Sequence, residues 1–320
     1  MKILITGGAG FIGSQLAESL VRDGHEVSVL DNLSTGHIEN VDSNTLKNLE
    51  FLQGDVRNFE DVVGAIKGCD SVVHLAGVSS IPRSVEDPSE TQAVNVGGTV
   101  NVLWASVSNE VRRFIFASSC AVYGDSPLIP TSEEQFFNAL TPYSASKASG
   151  EQFCNAFACS YDIETVSLRL FNVYGKTRRG TPNGGVVTQF LRSFQARCRP
   201  MIFGDGEQSR DFVHVQDVVR AISIVLEQPR IKSCTYNIGS GQSTTINRLL
   251  SLLSNNHGNP NARPQYMSPR AGDVRQSRAD TRRSERELGF RTSTSLEEGL
   301  RELQATLPSI SENVVTGSAP

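Results

Sequence analysis

The sequence predicts an α/β protein, a doubly wound parallel sheet followed by a smaller C-terminal α/β lobe. Three observations predict it. Over the first 175 residues, short apolar runs alternate with helical stretches, the pattern of strand–helix–strand units. Those runs are near-continuously apolar rather than alternating, as burial on both sheet faces requires. The first of them ends in a glycine-rich turn that opens directly into a helix.

The strand-like runs are KILIT (2–6), EVSVLD (26–31), LEFLQGD (49–55), SVVHLAG (71–77), RFIFASS (113–119) and ETVSLRLF (164–171). Helical stretches fall between most of them, near 11–22, 59–67, 91–107 and 143–160. Beyond about residue 175 the pattern loosens into the polar, Gly-rich loop GKTRRGTPNGG. A helix near 186–198, a strand at 201–203, a helix at 215–228, a strand at 235–239 and the helix TTINRLLSLL follow. The segment 259–283 is rich in Pro, Arg and Asp and reads as ordered loop. SLEEGLRELQATL makes a closing helix, with Ser295 and Glu298 at capping-box spacing. The Ser/Thr/Pro/Gly-rich tail is expected to be disordered. The expected organisation is a nucleotide-binding domain over 1–175 and a substrate lobe over 176–307, with some chain crossing back to the first domain, then a tail over 308–320.

Composition narrows the function classes. A chain of 320 residues is long enough for one large or two small domains, each with its own core. The net charge of −4 gives no reason to expect nucleic acid or an anionic membrane as partner. No apolar run reaches the ~18 residues that span a bilayer. The N-terminal run is too short for a signal peptide and lacks a small-residue cleavage site. Six cysteines (Cys69, Cys120, Cys154, Cys159, Cys198 and Cys234) form no CxxC pair and have no histidine cluster near them. They read as buried or semi-buried thiols of a reducing, cytoplasmic compartment, and no metal site is expected.

In ITGGAGFIGSQLAESL, Gly7, Gly10 and Gly13 recur every third residue, and Gly8, Gly10 and Gly13 also satisfy GxGxxG. Glycines here allow a tight turn and close backbone approach to a pyrophosphate. The helix N-terminus then offers its free N–H groups to the phosphates. This turn follows a first strand, opens a helix and precedes a second strand ending in an acid, the context of a Rossmann-type dinucleotide site. The acid is Asp31. A carboxylate there accepts from ribose hydroxyls and repels a 2′-phosphate, and no arginine follows at once, so NAD is expected over NADP. Asp55, ending the third strand, either bonds the adenine amino group or serves as a turn or cap residue.

In TPYSASKASGE, Tyr143 and Lys147 are four apart on a predicted helix and share a face. A free phenol titrates near pH ~10. A neighbouring ammonium is expected to lower that value, as would a positively charged nicotinamide. A phenolate nearer neutrality can take a proton from a sugar hydroxyl. The bland alternative is a surface i,i+4 pair. Ser144, Ala145, Ser146, Ala148, Ser149 and Gly150 would let the helix lie close to cofactor and sheet. Ser118 and Ser119 end the fifth strand, where open parallel sheets bind ligands, or they cap their own backbone.

The glycine fingerprint, Asp31, SSCAVYG, YSASK, LRLFNVYG, SRDFVHVQD and RAGDVRQSRAD occur in the order seen in the extended short-chain dehydrogenase/reductase family. Over about residues 1–305 the chain resembles the NAD-dependent nucleotide-sugar epimerases of that family, UDP-hexose 4-epimerases in particular. The resemblance implies Tyr143 as general base, Lys147 lowering its pKa and holding the nicotinamide ribose, and Ser119 as hydroxyl partner. It implies an NAD site of Gly7, Gly10, Phe11, Ile12, Gly13, Asp31, Asn32, Asp55, Val56, Leu75, Ala76 and Asn95 beside Tyr143 and Lys147. It implies a UDP-sugar site of Ser119, Asn172, Val186, Phe203, Arg210, Arg270, Asp273 and Ser277. Within it Asn172, Arg210 and Arg270 face the diphosphate, Asp273 the UDP ribose and Phe203 the uracil. Without the resemblance, pairing with nearby acids is the expected role of both arginines.

Dehydratases of the family carry acids directly before VYG, where this chain has Cys120 and Ala121. The resemblance therefore implies oxidation followed simply by reduction, an epimerisation at C4 through a 4-keto sugar with NAD regenerated each cycle. Ser277 stands where epimerases restricted to plain hexoses often carry tyrosine, and SSIPRSVEDP (79–88) resembles enzymes that accept N-acetylhexosamines. Interconversion of UDP-GlcNAc and UDP-GalNAc is expected, alongside UDP-Glc and UDP-Gal. Leu170 and Ser79 depart from the pattern, in place of a tyrosine and of a pyrophosphate-contacting lysine. The rival expectations are a 4-epimerase of plain UDP-hexoses or UDP-hexuronic acids only, a net oxidoreductase, and a non-catalytic NAD sensor. Family members usually dimerise through the helices near 91–107 and 143–160, so a homodimer is expected.

Overall fold

The structure, a computed structural model, describes residues 1–176, 185–256, 263–270 and 272–305. Most of the expected loop at 175–185, and the expected tail, lie outside them. The first half runs β1 (Lys2–Thr6), α1 (Phe11–Arg22), β2 (Glu26–Asp31), a short α2 (Ser43–Leu46), β3 (Glu50–Gln53), α3 (Phe59–Ile66) and β4 (Ser71–His74). It continues through α4 (Ile81–Glu86), α5 (Pro88–Gln92), a π-turn at Ala93–Gly97, α6 (Gly98–Ser108), β5 (Arg113–Ser119), α7 (Pro142–Ser160) and β6 (Glu164–Leu170). The helix expected over 91–107 is thus broken by a π-turn, a feature common at functional sites.

The second half is made of β7 (Asn172–Tyr174), α8 (Val186–Gln195), β8 (Met201–Phe203), β9 (Ser209–Arg210), β10 (Phe212–His214) and α9 (Val215–Glu227). Then come β11 (Thr235–Ile238), β12 (Thr244–Thr245), α10 (Ile246–Asn256), β13 (Gln265–Met267), α11 (Arg282–Leu288) and α12 (Leu296–Ala305). The segment expected to be loop over 259–283 contains β13, which pairs in parallel with β8. Its three residues are all exposed, so no apolar pattern marks them.

Seven parallel strands form the central sheet in the order β11-β6-β5-β4-β1-β2-β3. The strand order reverses between β1 and β4, the switch point where open sheets of this kind bind ligands. On one face α1 and α9 bury Leu16, Leu20, Val218 and Ile222 against Ile3, Ile5 and Val29. On the other, α3 and α6 bury Val62, Val102 and Leu103 against Leu4, Val72 and Phe114. A separate cluster of Phe190, Leu249, Leu253 and Leu300 holds the smaller lobe together. All six cysteines are free thiols. Cys69 and Cys154 are buried and Cys120 half-buried, but Cys159, Cys198 and Cys234 are exposed, which corrects the expectation that all are withdrawn from water. No helix among the described residues is long and apolar enough to cross a membrane.

Candidate active site

A cavity of about 560 Å³ opens beyond the carboxyl ends of β1, β2, β4 and β5. At its floor is the glycine turn. Gly7 has φ +71°, and a Cβ there would lie 2.7 Å from the Ala76 amide nitrogen. A Cβ on Gly13 would lie 2.2 Å from the Gly7 carbonyl oxygen. Side chains are therefore excluded where a diphosphate would need close backbone approach. The first turn of α1 has no side-chain cap, and Gly10, Phe11, Ile12 and Gly13 line the cavity, so its N–H groups remain for an anion.

At the far end of the floor, Asp31 and Asn32 line the cavity. The Asp31 carboxylate is fixed by the amides of Ala9 (2.9 Å) and Leu33 (2.8 Å) and keeps acceptor capacity for two hydroxyls. Burial raises its pKa, and those two amides oppose the rise. Asp55 does not line the cavity. Its carboxylate is gripped by Arg57 through Nε (2.9 Å) and Nη2 (2.6 Å) and accepts from Asn32 Nδ2 (2.8 Å). The Arg57 guanidinium holds it well below the usual carboxylate range. Arg57 itself lines the cavity, a cation that the search for an arginine directly after Asp31 does not find. Its position after a strand-end Asp, two residues on, is the only signal for it in the sequence. Val56, Leu75 and Ala76 complete this wall.

Helix α7 carries Tyr143 and Lys147. Thr141 caps it in a capping box with Ser144, Pro142 opens it, and Ser84 of α4 accepts the Tyr143 amide at 3.2 Å. Gly150 lets the helix sit on β5: a Cβ there would lie 2.4 Å from the Phe116 ring. Tyr143 and Lys147 both line the cavity. Ser119 is the polar side chain that counters burial at the Tyr143 phenol. Lys147 Nζ donates to the Ala117 carbonyl at 2.8 Å and lies 4.9 Å from the Phe116 ring centre. The expected depression of the phenol is corrected here. Burial pushes Tyr143 up to about 12, Ser119 works against that, and Lys147 is not among the groups that lower it. Lys147 is itself pushed down to about 8 by burial, opposed by Cys154 and Glu151.

Asn95 lies behind the wall rather than in it. Its side chain exchanges two hydrogen bonds with the backbone of Val78 (2.7 and 3.0 Å) and donates to Ser146 Oγ at 2.9 Å. Val78 does line the cavity.

On the opposite side, Ser119, Cys120, Asn172, Arg210, Asp273 and Ser277 converge on the cavity. Asn172 Nδ2 is a buried donor with no partner among the described residues. Arg210 Nη2 is bonded to Asp273, and its Nη1 donates to the Ser209 carbonyl at 2.8 Å. Burial pushes the Cys120 thiol up to about 11, and Ser277 opposes the rise. Three residues expected on the UDP-sugar side fall outside the cavity lining, as Asp55 and Asn95 do on the NAD side. Val186 packs against the core of the smaller lobe. Arg270 stacks on Phe203, its guanidinium carbon 3.7 Å from the ring centre. These two sit on the exposed β8–β13 side, where sequence order alone does not fix their distance from the cavity.

The cradle that excludes side chains, the uncapped helix end, the carboxylate at the end of β2 and the unpartnered amide of Asn172 together suit a dinucleotide beside a second, phosphate-bearing ligand. The comparisons agree. Over 304 residues the chain is 37% identical to the UDP-glucose 4-epimerase of Mycolicibacterium smegmatis, covering 94% of this chain and 96% of that protein. It superposes on the UDP-glucose 4-epimerase of Thermotoga maritima, solved with UDP-glucose, with a TM-score of 0.90 at 36% identity, covering 95% of this chain and 97% of the other. The UDP-N-acetylglucosamine 4-epimerase of Methanobrevibacter ruminantium M1, in complex with UDP-N-acetylmuramic acid, gives a TM-score of 0.88 at 34% identity, with 94% and 96% covered. Residues 3–239 match the NAD dependent epimerase/dehydratase family, and the chain accordingly belongs to it.

Proposed function

We propose that this chain is a UDP-sugar 4-epimerase that keeps its NAD bound and acts on UDP-GlcNAc and UDP-GalNAc as well as UDP-Glc and UDP-Gal. The reading rests on the wall directly after Ser119. Cys120 and Ala121 line the cavity there, and the Cys120 thiol is neutral, so that position offers no carboxylate to eliminate water from a keto sugar. NAD, when bound, supplies hydride acceptance at C4 and its return. Tyr143, as the phenolate that a positively charged nicotinamide would stabilise against burial, takes the proton from the C4 hydroxyl, directly or by way of Ser119, and gives it back after the sugar has turned over. Lys147 orients the nicotinamide ribose with the donors left after its bond to Ala117. Asn172 and Arg210 hold the diphosphate, which requires Arg210 to exchange Asp273 for phosphate oxygens, and Asp273 then turns to the UDP ribose. Phe203 reaches the uracil and Arg270 the diphosphate only if the β8–β13 edge closes over the nucleotide.

Breadth toward acetylated sugars is supported by Ser277. It is small, buried and lines the cavity wall with Cys120, leaving room for a 2-acetamido group. The exposed apolar residues Trp104 on α6 and Phe153 on α7 support a homodimer. The free cysteines support a reducing, cytoplasmic setting.

The test uses purified protein without added NAD, offered UDP-GlcNAc and UDP-Glc separately, with anomeric protons followed by NMR. Formation of UDP-GalNAc is expected. Conversion of UDP-Glc alone would refute the substrate breadth, and conversion of neither, even with NAD supplied, would refute the activity. Ser277→Tyr is expected to lower kcat/KM for acetylated sugars by roughly 100-fold while plain hexoses lose less than about threefold, since a filled pocket discriminates by a few kcal/mol.

A further inference from the structure

Behind the cavity wall, an unbroken chain of buried side chains connects the glycine turn to the catalytic helix. The Ala76 amide donates to Thr6 Oγ1 at 3.3 Å, and Thr6 Oγ1 lies 2.6 Å from His74 Nδ1. His74 Nε2 lies 3.0 Å from Thr99 Oγ1, which donates to the Asn95 carbonyl at 2.6 Å. Asn95 then holds Val78 and Ser146, and Ser146 Oγ donates to the Tyr143 carbonyl at 2.7 Å. Thr6 and Thr99 are fully buried and His74 is 1% exposed.

The protons in this chain can be assigned. Thr99 spends its one hydroxyl proton on Asn95, so its oxygen accepts from His74, and Nε2 carries the ring proton. Nδ1 is then an acceptor and takes the Thr6 proton, leaving the Thr6 oxygen to accept from Ala76. A doubly protonated ring would make Thr6 Oγ1 accept from both Nδ1 and the Ala76 amide, leaving the hydroxyl proton with no acceptor in this chain of groups. Burial, with Lys147 nearby, pushes His74 down to about 3, so the ring stays neutral.

The groups joined are those whose mutual position the reaction needs. Thr6 immediately precedes Gly7, Ala76 and Val78 line the cavity, and Tyr143 lies in the first turn of α7. We propose that His74 is a positioning residue that, as a neutral imidazole protonated at Nε2, keeps the Ala76–Val78 wall and the first turn of α7 in register with the glycine turn. Its kinetic consequence rests on the 4-epimerase reading; its consequence for NAD does not.

The test cuts the chain at Thr99, which touches neither the cavity nor a reacting atom. Thr99→Val keeps the shape and removes the hydroxyl, and Thr99→Ser restores it. Release of NAD from each purified holoenzyme is timed by dialysis and chromatography of the acid-released nucleotide. Thr99→Val is expected to lose NAD roughly 10-fold faster and to lose roughly 10- to 100-fold in kcat, with KM for the UDP-sugar within about twofold, as misplacement of reacting groups does. Thr99→Ser is expected to stay near the parent on both. His74→Asn keeps an acceptor for Thr6 but loses the donor to Thr99, and the same losses are expected. Parental NAD release and kcat in Thr99→Val or His74→Asn, with only the melting temperature lowered, would overturn the proposal, as would equal losses in Thr99→Val and Thr99→Ser. If the parent turns over no UDP-sugar yet Thr99→Val sheds NAD faster, the substrate reading fails and the positioning role stands.

Discussion

At the residue scale, burial decides the protonation states, and it does so against the expectation that Lys147 would lower the phenol of Tyr143. The ammonium is turned toward the Ala117 carbonyl, and the charge that would bring the phenol down has to come from the ligand side. His74 yields a pH prediction. Its folded pKa of about 3 lies below the ordinary value of 6.5, so the unfolded chain binds the extra proton first. The stability contribution is complete above pH 6.5 and is lost as pH falls from there toward 3. His74→Asn, though less stable at neutral pH, should therefore lose melting temperature more gently than the parent between pH 6.5 and 4.5. Parallel melting curves across that range would contradict this. Asp31, Ser119, Tyr143 and Lys147 are legible from sequence because each sits in a short local motif. The partners of His74 are not, because they depend on register: Thr6 and His74 are opposite one another on β1 and β4, 68 positions apart. The one hint is a polar ring in an otherwise apolar strand.

At the scale of elements, α7 is fastened to the end of β5 at three successive strand residues. Ala117 meets Lys147, Ser118 meets Glu151 and Ser119 meets Tyr143, so the helix repeat of four is matched to the strand. Arg169, opposite Ser118 on β6, clamps Glu151 with two nitrogens. The contact of Gly150 with Phe116 permits this approach, and Gly150→Ala should destabilise the protein by about 1–3 kcal/mol in urea denaturation. Adding Phe116→Leu should recover part of that loss, since residues in contact are not additive. Strict additivity would mean that the ring does not limit the approach. The small residues of this helix were readable as a packing surface. The π-turn at Ala93–Gly97 was not, because no residue type specifies it, and it follows from the buried bonds of Asn95 and Thr99.

At the scale of the whole molecule, the exposed faces of α6 and α7 set the expected assembly. Sedimentation at micromolar concentration should give a dimer for the parent and a monomer for Trp104→Glu combined with Phe153→Lys, because the pair places charge on a large apolar face. A parent that sediments as a monomer would refute it. The alternation of strands and helices made the sheet legible, whereas short pairings such as β9 with β12 join distant segments and carry no periodic pattern. The sheet itself is finished late. Its outermost strand on one side is β11, and α9 shields one face beside α1, its last carbonyls at Val225 and Leu226 held by the buried Arg113. A nascent chain that has passed β6 but not reached Thr235 therefore exposes β6 as an unpaired edge, and until Glu227 is made it also leaves α1 without its neighbour. The part that binds the cofactor cannot close during synthesis until well into the second half has left the ribosome, and it is during that interval that the chain depends most on protection from its neighbours.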